Sequence, residues 1–228
     1  MSRVFAYVFV VAAAAAVHQT AVRANGSAAP APSPSASMPS MTPEQQAIAA
    51  YNSGISHKNK GLKLEADAAK SAKDHDKNLG KAKDEFGKAL KDFKRATDLA
   101  PTAHQAYNGM GFALRKTGDP AKALEMYERA LTLAPGFPDA IEYRGEAFLA
   151  LNRLDDAKAA YLELFSKDRE QANQLMKAMN DWVASRRTEP AGVDPGLVTG
   201  FDGWIKEREK VAALTVNMSL ASNLSTWR

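Results

Sequence analysis

The chain has 228 residues, of which 45% are hydrophobic and 25% charged, a composition that excludes a wholly disordered chain, a collagen-like chain and a multi-span membrane protein. Its 30 Lys and Arg residues against 26 Asp and Glu residues give a formal charge of +4. Two of the arginines, Arg3 and Arg23, lie in the first 24 residues, and the remaining 28 (30 minus 2) against 26 are nearly balanced, which argues against an obligate nucleic-acid binder. Because the chain contains no cysteine, it can form no disulfide, no thiolate metal site and no cysteine nucleophile.

Residues 1–24 have the pattern of a signal peptide. One arginine near the start is followed by an uncharged, mostly apolar run from Val4 to Val17, which is shorter than the about 20 residues that a membrane-spanning helix needs. Val22 and Ala24 place small or apolar residues before a cleavage point that we expect after Ala24. We therefore predict an exported chain, periplasmic or secreted; the alternative is an uncleaved N-terminal anchor.

Residues 25–42 are dominated by Ala, Pro and Ser. Such a segment cannot bury enough apolar surface to offset the conformational entropy of ordering the chain. We predict a disordered linker here and a folded helical domain over residues 43–187.

A period of 34 residues runs through the middle of the chain. Each copy of the repeat contains two small residues followed by an aromatic residue. These are Gly111, Ala123 and Tyr127 in one copy, and Gly145, Ala157 and Tyr161 in the next. The period and these residue types resemble the tetratricopeptide repeat, a pair of antiparallel helices. The resemblance implies an all-α fold, a tetratricopeptide-like helical solenoid of αα-hairpin repeats.

An earlier copy of the repeat has a longer hairpin. Ala89 and Phe93 match the second helix of the later copies, but the small residue of the first helix is found only at Gly54. Gly54 and Ala89 are 35 residues apart where the later copies have 12, so about 23 residues are added (35 minus 12). Because the added segment contains strong helix formers, we predict an elongated αα-hairpin that turns near residues 74–80, with its second helix over 81–99, rather than a long loop.

Beyond the repeats, residues 170–187 predict one more amphipathic helix. Leu175, Met179 and Trp182 lie on one of its faces, as expected of a helix that caps the open end of a solenoid. In the segment 188–228, we predict an irregular connection over the Pro- and Gly-rich residues 188–203, followed by a C-terminal helix over 204–220.

The sequence contains no arrangement typical of catalysis or metal binding. No two of His57, His75 and His104 have ligand spacing on one helix, and neither a Ser-His-Asp order, a phosphate-binding loop nor an HExxH motif is present. We therefore expect no metal, no cofactor and no enzymatic activity.

The resemblance also implies a binding surface, because in this family the first helices of successive repeats line a concave groove. One subtype of the family clamps a peptide carboxylate with Lys and Asn at two groove positions. Here those positions hold Asn108 and Phe112 in one repeat and Glu142 and Glu146 in the next, so that specificity is not supported. The cations Arg115 and Lys116, expected to face the acidic Glu142 and Glu146, instead predict an extended peptide of mixed charge. The alternative for each position is ordinary solvated helix surface. The partner-binding positions carried over are Gln105, Asn108, Phe112, Arg115, Lys116, Asp139, Glu142, Glu146, Asn173 and Asn180, with Tyr51 and Ile55 in the first repeat.

The elongated hairpin is basic. Between Lys58 and Arg95 it has 12 Lys and Arg residues against 7 Asp and Glu residues. This excess could bind an anionic glycan or a membrane surface, but we favour ion pairs three or four residues apart that stabilise solvated helices. The prediction is therefore a protein–protein interaction scaffold or adaptor in the bacterial cell envelope, with the anionic surface binder as the alternative.

Overall fold

The computed structural model describes residues 41–225, with side chains up to residue 215. This part of the chain contains no strand, and consecutive helices pack against each other along the chain. The all-α helical-repeat fold is thereby confirmed; the predictions for residues 1–40 lie outside the described residues. The helices are α1 (Pro43–Ala68), α2 (His75–Leu99), α3 (His104–Thr117), α4 (Pro120–Leu133), α5 (Pro138–Ala150), α6 (Leu154–Lys167), α7 (Arg169–Thr188) and α8 (Pro195–Ser225).

The small residues of the repeat lie where a large side chain of another helix needs space. A Cβ on Gly111 would overlap the ring of Tyr127, which is fully buried in α4. The equivalent Gly145 accommodates Leu175 of α7 instead of Tyr161. The repeat pattern therefore marks close helix approaches, but the residue that fills each one differs along the solenoid.

The first hairpin is elongated, as predicted: α1 has 26 residues and α2 has 25, against 14 in α3 and in α4. The predicted turn at 74–80 was wrong, since α2 already begins at His75. The chain turns earlier because the Ser71 hydroxyl accepts the backbone N–H of Asp74 and starts a short 3₁₀ turn, Ala72–Asp74. Gly80, the last residue of the predicted turn, lies inside α2, where glycine costs about 1 kcal/mol relative to alanine.

The C-terminal segment is also more helical than predicted. The irregular connection spans only residues 189–194, and α8 begins at Pro195 rather than at residue 204. Asp194 starts this helix, because its carboxylate accepts the backbone N–H of Leu197 at 3.1 Å and Pro195 occupies a first-turn position where no N–H is needed.

Helices α7 and α8 close the end of the solenoid. Phe201 and Ile205 of α8 are buried in the same apolar cluster as Trp182 of α7, whose ring centroid lies 5.5 Å from that of Phe201. Trp204 reaches α6, with its ring centroid 5.6 Å from that of Tyr161. In the described part of the chain, no helix is long and apolar enough to cross a bilayer.

Candidate binding groove

The ten predicted partner-binding residues lie on α3, α5 and α7. Asn173 is exposed, whereas Asn108, Phe112 and Glu142 are buried. The remaining six are partly buried: Gln105, Arg115, Lys116, Asp139, Glu146 and Asn180. A partner in this groove would therefore meet some of these side chains directly and others only after neighbouring side chains have moved.

Phe112 is the aromatic centre of the groove. Only 4% of its surface is exposed, because its ring contacts Phe86 of α2 and Tyr143 of α5, with centroids 5.7 Å and 5.3 Å away. These contacts connect the elongated hairpin to the third repeat through the second. Phe112 is therefore mainly a packing residue that holds the helices of the groove together.

Lys58 of α1 belongs to the groove although the sequence analysis did not select it. Its ammonium nitrogen lies 4.3 Å from the Phe112 ring centroid and donates a hydrogen bond to the Tyr143 hydroxyl at 3.1 Å. The sequence contained a usable signal, because Lys58 follows Gly54 by the same four residues by which Arg115 follows Gly111. Burial lowers the pKa of Lys58, and the nearby carboxylates, led by Asp139, oppose that effect.

The two cations predicted to face α5 are directed to different partners. Arg115 forms an ion pair with Glu146 of α5, as the predicted arrangement requires. Lys116 instead pairs with Glu65 of α1 at 2.7 Å, because the elongated α1 extends beside α3 and supplies a closer carboxylate. The expectation that both cations oppose the acids of α5 was therefore wrong for Lys116.

Glu142 is a buried carboxyl group with an incomplete set of partners. It is 2% exposed, and its Oε2 atom has no hydrogen-bond partner among the described residues. Burial raises the pKa of Glu142 well above its usual range, and the nearby Glu146 carboxylate raises it further. Burial also raises the pKa of Asp139, which accepts a hydrogen bond from Gln171 at 2.8 Å.

These groups form one charged cluster drawn from three helices. It contains three carboxyl groups and two cations, so the acids outnumber the cations by one. We call this set the charged cluster: Lys58, Arg115, Asp139, Glu142 and Glu146.

The two predicted positions on α7 are not joined to the charged cluster by any hydrogen bond between described residues. Asn180 donates to the Met176 carbonyl and, at 2.9 Å, to Glu209 of α8. It therefore holds the two last helices together, and the exposed Asn173 remains the more accessible of the pair.

The elongated hairpin has lysines interleaved with acids. Ion pairs join Lys70 to Asp67 at 3.1 Å and Lys94 to Asp98 at 2.8 Å, the local pairing that the sequence analysis favoured. A cleft of about 470 Å³ between α1 and α2 has the same mixed character. Its charged lining residues are Lys60, Lys63, Lys81, Lys88, Asp67, Asp84 and Glu85.

His57 connects the two helices of the elongated hairpin. His57 Nδ1 lies 2.6 Å from Glu85 and its Nε2 lies 3.9 Å from Asp92, so this side chain bridges α1 and α2. Over the residues whose side chains are described, no group of three or more His, Asp or Glu side chains could hold a metal ion. What the groove offers chemically is ion pairing and cation–aromatic contact.

Comparison with known proteins supports the repeat. Residues 104–137, which cover α3 and α4, match the tetratricopeptide repeat family. The chain is similar to the first tetratricopeptide domain of Spaghetti (RPAP3) bound to the HSP90 peptide SRMEEVD, at 21% identity over 54% of this chain and 96% of that chain, with a TM-score of 0.39. It is also similar to the first such domain of human RPAP3 (21% identity, 58% and 98% covered, TM-score 0.39) and to MamA (17% identity, 76% and 98% covered, TM-score 0.40).

Proposed function

Because residues 104–137 match the tetratricopeptide repeat, we propose that this chain is a non-enzymatic protein–protein interaction scaffold that binds a partner peptide or helix in the groove. The observation that carries the proposal is the charged cluster, which brings Lys58, Arg115 and Glu142 together from three helices. Buried charges are a poor source of stability, since apolar residues of similar volume often do as well or better. Recognition of a charged partner explains why the groove retains them.

The groove also has an apolar side. Ile48, Tyr51 and Ile55 lie on the same face of α1 as Lys58, and Ile48 is 46% exposed. An apolar edge beside a charged cluster suits a segment that carries both apolar and charged side chains, either an amphipathic helix or an extended peptide. This supports the mixed-charge partner expected from the sequence.

We place this scaffold in the bacterial cell envelope, as an exported adaptor. The proposal rests on the apolar run from Val4 to Val17 and on the small or apolar residues Val22 and Ala24 before the predicted cut after Ala24. The mass of the protein purified from its native host tests it. A chain beginning at Asn25 supports export by cleavage, and a full-length chain in the membrane fraction supports the retained anchor.

The groove can be tested with a selection from a random peptide library, using the folded chain as bait. Ile48→Asp changes an exposed groove residue and is expected to abolish binding of the selected peptides. Leu162→Asp is the matched control, because Leu162 is 47% exposed on α6 and lies outside the predicted groove. Equal binding to both variants would show that the groove is not the working surface.

The basic hairpin is the alternative surface, for an anionic glycan or membrane. Its lysines alternate with acids in the cleft between α1 and α2, which weakens the attraction for a polyanion, and for this reason we favour the groove. Sedimentation with anionic vesicles distinguishes the two, since binding through surface charge is lost at about 0.5 M salt.

A further inference from the structure

The ammonium group of Lys58 lies in an aromatic cage. Its nitrogen is 4.3 Å from the centroid of Phe112 and 5.0 Å from that of Tyr143. A cation over aromatic faces is attracted by their electron density, and proteins use such cages to recognise ammonium ligands. Here the occupant is a side chain of the same protein, carried by the elongated α1.

The second observation is Glu142, which precedes Tyr143 in α5 and lies close enough to the Lys58 ammonium to favour its charged form. Glu142 is 2% exposed and its Oε2 has no partner among the described residues, although the ionised form of a buried carboxyl group needs hydrogen bonds or a counterion. Arg115 is already paired with Glu146. The cluster therefore has one carboxyl group more than it has cations, which leaves Glu142 without a cation of its own.

We propose that the cage of Phe112 and Tyr143, together with Glu142, is a subsite for a lysine side chain of the partner, and that Lys58 occupies it in the free chain as an internal substitute. This inference rests on the proposed function of the groove. It specifies that function by naming a lysine-containing peptide as the ligand, and by assigning to Lys58 of the elongated hairpin the role of a competitor.

Lys58 is suited to exchange. Among described residues it forms no ion pair within 4 Å, and its one polar contact is the hydrogen bond to the Tyr143 hydroxyl. Burial also disfavours its charged form. Arg115, by contrast, is held by the direct ion pair with Glu146, so the cation that a ligand displaces is Lys58.

The first experiment replaces the missing ammonium group. In Lys58→Ala, millimolar n-butylammonium is expected to raise the melting temperature, whereas n-butanol at the same concentration is not. Neither compound should affect the wild type or Lys60→Ala, which removes an exposed lysine from the same helix. Equal shifts of the melting temperature with butylammonium and butanol would overturn the cation subsite, because the site would then be only an apolar cavity.

The second experiment uses the peptide library with the whole chain. Peptides selected by the wild type are expected to be enriched in lysine at one position, and their synthetic forms to bind Lys58→Ala about tenfold more tightly, consistent with the strength of a desolvated cation–aromatic contact. The same peptides with norleucine in place of that lysine should bind Lys58→Ala and the wild type with equal affinity. Glu142→Gln, which keeps the shape of the side chain, should remove the preference for lysine over norleucine, and this variant decides the matter if Lys58→Ala does not fold.

The outcomes separate the two proposals. Selected peptides that depend on Ile48 but show no lysine preference would overturn the cation subsite and leave the groove as the binding surface. If no selected peptide depends on Ile48, the proposed function fails, and the butylammonium rescue still reports whether the cage holds a cation.

Discussion

Replacing Gly54 by alanine perturbs the contact that holds the first three helices together. Phe93 of α2 is fully buried between two glycines of different helices. A Cβ on Gly54 of α1 would lie 2.7 Å from the ring, and a Cβ on Gly109 of α3 would lie 2.8 Å from it. Because the ring is enclosed on both sides, it cannot retreat from a new methyl group on α1 without pressing on α3.

The magnitude follows from two opposing effects. Carbon atoms prefer separations of about 3.5–4.0 Å, so the ring or the helices must move by about 1 Å, and overpacking of this kind costs about 1–3 kcal/mol. Alanine in a helix interior is favoured over glycine by about 1 kcal/mol. Gly87→Ala on α2 is the matched control, since a Cβ there meets nothing within 4 Å and receives only the favourable effect.

Urea denaturation followed by far-UV circular dichroism measures both variants. We expect Gly87→Ala to be more stable than the wild type and Gly54→Ala to be less stable than Gly87→Ala by about 1–3 kcal/mol. The double variant Gly54→Ala with Gly109→Ala should lose more than the sum of the single changes, because both sides of the ring are then closed. If Gly54→Ala is stabilised as much as Gly87→Ala, the account of Phe93 as a ring clamped between glycines is refuted.

Three further predictions concern titration and the last helix. The pKa of Glu142 is raised by burial, so the folded state binds its proton more tightly than the unfolded state does. The stability of the wild type should therefore fall as the pH rises above the ordinary carboxyl range. Glu142→Gln should reduce this fall in urea midpoints measured from pH 4 to 8. Lys88 and then His57 hold the pKa of Glu85 at about 2, so its contribution to stability is present above the unfolded carboxyl pKa and is lost as the pH falls towards 2. Glu85→Gln should therefore reduce the loss of stability between pH 5 and pH 2, and an unchanged acid profile would contradict this reasoning. Ile205→Ala should lower the free energy of unfolding by about 2–5 kcal/mol, because Ile205 is fully buried where α8 packs against α7. An unchanged urea midpoint by tryptophan fluorescence would mean that α8 is not part of the cooperative fold.

The repeat and the length of the first hairpin could be derived from sequence because both depend on local spacing. A 34-residue period of small and aromatic residues marks close helix approaches, and Gly111 with Tyr127 shows the physical reason, since a side chain at Gly111 would overlap the ring. The added residues between Gly54 and Ala89 had to become helix because their composition is strongly helical. Lys58 could also have been predicted from sequence, because it follows Gly54 by the same number of residues as Arg115 follows Gly111.

Helix boundaries were less predictable, because single capping residues compete with composition. The predicted turn extended to Gly80, yet the hydrogen bond from the Asp74 N–H to the Ser71 hydroxyl starts the next segment earlier. The Pro- and Gly-rich stretch after Thr188 predicted an irregular connection, yet Asp194 and Pro195 begin a helix within it. In both places one side chain with the right geometry outweighed the average preference of the segment.

The sequence by itself determined the helical repeats and the elongated hairpin, since these follow from periodicity along the chain. Only the tertiary structure decided that Lys116 pairs with Glu65 of the distant α1 rather than with the acids of α5. It also decided that Glu142 loses its contact with water. Pairing and desolvation depend on which remote segment covers a side chain, and no spacing within one repeat carries that information.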